Sequence, residues 1–181
     1  MVDIIKILIA PLIGLLGVFV GSRLKQKSDI KIQKEFLAKE IKINKLQEVS
    51  HELSDMMREV VYSSSIIVKK IRFEVSDIEF RNLNDDHQER MIKIYRSVKS
   101  KMLFLNQDHQ ERITIFYNMA MDIDDKIFEG FHYSDLKDRR YADDEITFEA
   151  IKDHINDATE YIYDVIERLN KELLKELEGL K

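Results

Sequence analysis

Hydrophobic positions along this chain fall into distinct stretches. From Ile4 to Val20 every position is apolar or small except Lys6. From Ser28 to about Val61 the apolar residues recur at helical spacing. Ile32, Phe36, Ile43, Leu46, Leu53, Met57 and Val60 occupy a and d positions of one heptad frame, which Lys39 and Ser50 interrupt. Ser63, Ser64 and Ser65 suggest a bend, after which Ile67, Ile71, Val75 and Ile78 continue the stripe. The run from Ile71 to Val75 also alternates, so a short strand is an alternative there. Near the C-terminus, Phe148, Ile151, Ile155, Ala158, Ile162, Val165 and Leu169 step by three and four, and the stripe slides to Leu173, Leu177 and Leu180. This pattern predicts a helix of about 35 residues opening at the acids Asp143, Asp144 and Glu145, which suit a helix N-terminus. A polar loop, His132 to Asp143 with Arg139-Arg140-Tyr141 at its centre, precedes it.

The first stretch is expected to be a transmembrane anchor, residues 1–22. The seventeen residues from Ile4 to Val20 reach roughly 25 Å as a helix, the short end of what crosses a bilayer. Pro11 is tolerated in such helices. A cleaved signal peptide fits less well, because the positive n-region is nearly absent and no small-x-small site follows Val20. Ala10, Gly14, Gly17 and Gly21 fall on one helix face, a stripe that lets two membrane helices approach closely. Residues 23–45 carry eight basic and three acidic side chains, net +5, whereas residues 46–181 carry −10 of the chain's total of −5. The basic flank predicts an N-terminus outside and a cytoplasmic body at the inner membrane, beside anionic headgroups.

The middle of the chain repeats itself. Leu83-Asn84-Asp85-Asp86-His87-Gln88-Glu89-Arg90-Met91 recurs as Leu105-Asn106-Gln107-Asp108-His109-Gln110-Glu111-Arg112-Ile113, and Tyr95 matches Tyr117. The pairs Asp86/Glu89 and Asp108/Glu111 have the three-residue spacing of a capping box with Asp as N-cap. Two short helices, about 87–104 and 109–129, are therefore expected, with breaks at Asn84–Asp85 and Asn106–Gln107. Capping does not explain why His, Gln and Arg also recur, so a duplicated binding site stays open as the alternative.

Composition narrows the class. Only one proline and five glycines occur, and after Ser22 the breakers are Gly130 and Gly179 alone. A stretch with so few turn residues reads as helices rather than as a sandwich or an α/β fold. The expected fold is all-α: an N-terminal transmembrane helix, a basic juxtamembrane helix over 23–61, and an acidic helical body over 62–181 with long, partly coiled-coil-like helices. Cysteine is absent, which removes disulfides, thiolate metal sites and cysteine nucleophiles. The acidic body is a poor surface for nucleic acid.

Candidate chemistry is sparse. Arg81-Asn82-Leu83-Asn84-Asp85-Asp86-His87 has the form Arg-polar-x4-His and resembles the motif of HEPN ribonucleases, dimerising helical bundles. That resemblance implies that Arg81 and His87 act on a scissile phosphate and its 2′-hydroxyl, with Asn82 in support. Glu48/His51 and Glu129/His132 have the Glu-x-x-His spacing of di-iron bundles. Asp122-Ile123-Asp124-Asp125 looks like the start of a calcium loop, but Lys126 replaces a ligand and no glycine follows, so a solvated helix face is expected. Tyr161 and Tyr163 border the last apolar stripe and are expected at its core or rim. No Gly-rich phosphate loop, nucleophile elbow or HExxH occurs.

The layout of anchor, basic helix and Leu-Asn-x-Asp-His turn, carried by Leu105, Asn106, Asp108, His109 and their earlier copies, resembles small single-pass membrane proteins of bacteria and their phages. The expected role is a membrane-tethered helical interaction or scaffold module with no chemistry and no cofactor. It would self-associate or bind a protein partner through helix faces. The alternative is a membrane-anchored effector or ribonuclease in defence against phage.

Overall fold

The computed structural model describes the backbone of residues 2–132 and 148–179, and the side chains of 21–130, 149 and 151–179. All regular structure among the described residues is helical. Helix α1 covers Val2–Ile71, α2 Asp77–Lys101, α3 Gln107–Ile127 and α4 Phe148–Glu178. A 3-10 turn, Met102–Phe104, follows α2, and a π-helical turn, Phe128–His132, follows α3. The chain divides into two compact units, residues 1–42 and 43–181.

The unit 43–181 is a four-helix bundle. Its core takes Leu46, Leu53, Met56 and Val60 from α1, Phe80 and Met91 from α2, Ile113, Phe116 and Ile123 from α3, and Ile151, Ile155, Ile162, Val165 and Leu169 from α4. Each such side chain contributes about 1.5–3 kcal/mol on leaving water. Of the apolar stripe predicted for α4, Ile151 to Leu169 is buried, Leu173 is half-buried and Leu177 is exposed, while the side chains of Phe148 and Leu180 lie outside those described. Tyr161 sits half-buried beside it, whereas Tyr163 is exposed. Polar pairs fix the helix directions. Lys70 meets Asp77, and Glu52 meets Ser97 and Lys101, so α1 and α2 run antiparallel. Tyr95 stacks on Tyr117 with ring centroids 3.6 Å apart, and His87 meets Asp124, so α2 and α3 do too. Asn106 and His109 meet Glu172, while Arg112 reaches Asp164, which sets α4 against α3. Ser50 donates to Asn170 across 2.9 Å and closes α4 onto α1. The arrangement is up-down-up-down.

Several expectations are corrected. Among the described residues no helix is long and apolar enough to cross a membrane. The single-pass anchor over 1–22, with its inner-membrane location and outside N-terminus, therefore loses its support. A physical reason lies in length: Ile4 to Val20, seventeen residues with Lys6 among them, stands at the lower limit of the roughly 17–25 that span about 30 Å of hydrocarbon. The side chains of residues 1–20, including Ala10, Gly14 and Gly17, lie outside those described. Gly21, the last of that stripe, meets no other side chain among the described residues within 4 Å of where a Cβ would stand. The loop predicted over His132 to Asp143, the acids at 143–145 and the last stripe residue, Leu180, fall largely or wholly outside the described backbone.

Helix boundaries differ as well. The Ser63–Ser65 bend is absent, because Ser63 Oγ donates to the Val60 carbonyl at 2.6 Å and is satisfied inside the helix. The strand alternative at Ile71–Val75 is a helix end. Phe73 N donates to the Lys70 carbonyl and Glu74 N to the Lys69 carbonyl, the paired bonds of a Schellman motif. Phe73 takes the left-handed position at φ 57°, where glycine is usual, and its ring is 93% exposed. Helix α2 then starts ten residues before the predicted His87, because the working capping box is Ser76/Glu79. Ser76 Oγ accepts from Glu79 N, and Glu79 Oε2 accepts from Ser76 N at 2.8 Å. Ser76-Asp77-Ile78-Glu79 is itself the S-x-x-E signature, so this helix start has a local signal in the sequence.

Candidate functional site

Helix α2 runs without a break through Asp86 and Glu89, so the first predicted cap does not exist. In the second copy the helix begins close to His109, but the cap is Asn106, whose Oδ1 accepts from His109 N at 2.9 Å. Asp108 lies two residues past the cap, within the first turn, and instead accepts from Arg112 Nε at 2.9 Å. Glu111 accepts from Gln107 at 2.8 Å, and Asp86 and Glu89 are exposed. An Asp or Glu three residues apart is common in a charged helix, and the free backbone donors of the first turn were already taken.

The repeat instead carries two histidine clamps. In the first copy the core face of α2 turns His87 inward, and its side chain is 2% exposed. Its Nδ1 stands 3.1 Å from Glu59 Oε2 on α1, and its Nε2 3.3 Å from Asp124 Oδ1 on α3. The second contact is close enough for charge pairing but lacks hydrogen-bond alignment. One turn on, Arg90 Nε donates to Glu59 Oε1 at 3.0 Å. The guanidinium lies 5.6 Å from the Tyr62 ring centre, and Tyr62 also faces the imidazole. Three helices thus meet at one cluster, in which His87 and Asp124 are buried, Glu59 is half-buried and Arg90 is exposed.

The electrostatics follow from this geometry. Burial opposes charge on His87, but the Asp124 and Glu59 carboxylates outweigh it and hold its pKa above the ordinary histidine value. Burial likewise opposes charge on Glu59, yet Arg90 and His87 hold its carboxyl below the usual range. A neutral imidazole offers one N–H and one lone pair, so only the imidazolium can serve a carboxylate at each nitrogen.

In the second copy His109 Nε2 stands 2.9 Å from Glu172 Oε2 on α4, and its buried Nδ1 has no hydrogen-bond partner. Arg112 Nη1 lies 3.7 Å from Asp164 on the same helix. His and Arg three residues apart share a helix face, so each copy grips one neighbouring helix with both. That accounts for the recurrence of His and Arg, which capping left unexplained. Sequence reasoning missed the partners Glu59, Asp124 and Glu172. Asp124 departs furthest from expectation: the calcium-like stretch was read as solvated, yet Asp124 is enclosed, while its neighbours Asp122 and Asp125 are exposed.

The HEPN-like residues do not converge on an open site. Arg81 and Asn82 lie on the exposed side of α2, whereas His87 is enclosed on the opposite side. Of the Glu-x-x-His pairs, Glu48 is engaged with Lys45 at 2.8 Å and Lys101 at 3.5 Å, and exposed His51 stands 3.3 Å from Asp55. Glu129 is exposed, and the His132 side chain lies outside those described. Among the described residues no group of three or more His, Asp or Glu could hold a metal ion. No protein-family model matches this chain, and neither a curated protein nor a solved structure is similar to it.

Proposed function

We propose that the chain is a helical interaction module that self-associates through the N-terminal part of α1. The supporting observation lies within residues 21–42. There Leu24, Ile30, Ile32, Phe36, Leu37 and Ile41 are 39–64% exposed on one helix. The bundle's own apolar stripes, by contrast, are covered. Ile32 and Phe36 keep the four-three spacing that Ile43 and Leu46 continue, so the sequence specifies a seam whose first residues are left exposed among the described residues. Large apolar side chains left open in this way mark an association site. The enclosure of His87 supports a binding role over the ribonuclease alternative, since RNA chemistry would need that imidazole at a surface.

The seam carries like charge, and exposed like charges repel less as salt rises. The full chain should therefore show a mass above 21.5 kDa by light scattering, with association strengthening from low to physiological salt. Ile32→Glu with Phe36→Glu should return it to a single chain without changing its helical content. A wild type that stays monomeric at every salt concentration refutes self-association.

A further inference from the structure

We propose that the Glu59–His87–Asp124 bridge is a proton-operated latch, which ties α1 to α2 and α3 while His87 is protonated and loosens α1 when that proton leaves. His87 faces Glu59 and Tyr62 from α1 and Asp124 from α3, and on α2 Arg90 shares Glu59 with it. Deprotonation leaves one N–H for two carboxylates. Glu59 keeps Arg90 at 3.0 Å, whereas buried Asp124 Oδ1 has no hydrogen bond to fall back on, so the remaining N–H moves to Nε2 and a turn of the ring aligns it on Asp124. The lone pair on Nδ1 then faces Glu59 Oε2 across 3.1 Å, and the contact between α1 and α2 becomes repulsive. Elsewhere α1 stays attached to α2 through Glu52 with Ser97 and Lys101, and through Lys70 with Asp77, so loosening centres on the turns around Glu59.

The sign is fixed by the direction of the shift. A histidine whose folded pKa lies above its unfolded value stabilises fully below about 6.5 and loses that contribution as pH rises through the folded value. The lowered carboxylates Glu48, Glu59, Glu79 and Asp164 act on the acid side, losing their contribution as pH falls. Between pH 6 and 9 the latch therefore stands apart from them.

The test uses the full chain. In labelled-histidine NMR, His87 should titrate above about 6.5. Exchange protection of backbone amides 56–63, corrected for intrinsic rates, should fall severalfold from pH 6 to 9 as the proton leaves. Asp124→Asn keeps a donor for Nε2 and frees the single N–H for Glu59, so its protection should not change over that range. A His87 titrating at or below 6.5, protection that is flat in wild type, or an equal fall in Asp124→Asn would each overturn the latch.

Discussion

His87 and His109 occupy the same position in two copies of one nine-residue pattern, and the molecule uses them differently. His87 sits three turns into α2, where helices lie on both sides and each nitrogen finds a carboxylate. His109 sits in the first turn of α3, where one nitrogen reaches Glu172 and the other has no hydrogen-bond partner. The residue before each core pattern diverges in the same way. Asn106 caps a helix, while Asn84 is buried within one, its Oδ1 without a hydrogen-bond partner. The lesson is that a motif supplies a face, and its distance from the helix end decides what that face meets.

The largest test of this contrast is removal of each imidazole. His87→Ala strips two carboxylates of a shared cation and should cost about 3–5 kcal/mol in urea unfolding at pH 6, the range for breaking a buried ion pair. His109→Ala should cost about 1–3 kcal/mol, that of one buried hydrogen-bonded group. Equal losses would erase the distinction between the copies.

The stacked Tyr95 and Tyr117, themselves repeat partners, join the copies. A double-mutant cycle to leucine should give a coupling of about 0.5–1.5 kcal/mol, and zero coupling would mean the stack adds nothing beyond buried area. The asparagines sharpen the difference in sign. Asn106→Ala should destabilise by about 1 kcal/mol through the lost cap. Asn84→Leu, which removes an unpartnered buried oxygen at similar volume, should be neutral or stabilising. A loss above about 1 kcal/mol at position 84 would show that its amide is engaged. The smallest effects belong to the acids once expected to cap. Asp86→Ala and Asp108→Ala should each stay within about 0.5 kcal/mol, because one is exposed and the other holds only an exposed pair with Arg112. A thermal melt resolves this, and a larger loss at Asp86 would reopen the capping argument.

Some of this was legible before any coordinates. The four-three stripe from Ile151 to Leu169 is a property of neighbouring positions on one helix, and it went into the core as written. The scarcity of glycine and proline after Ser22 fixed the all-helical class, because little in that stretch could turn a strand. The Ser76/Glu79 box was equally readable, since capping is a contact between residues three apart. What only the tertiary structure decided is which distant acid each histidine meets. Glu59, His87 and Asp124 come from three helices, and nothing in the local pattern separates Asp124 from exposed Asp122 and Asp125. Periodicity reports the face a side chain is on, but the charge state of a buried histidine depends on the neighbours that packing brings to it, and these are set by the bundle as a whole.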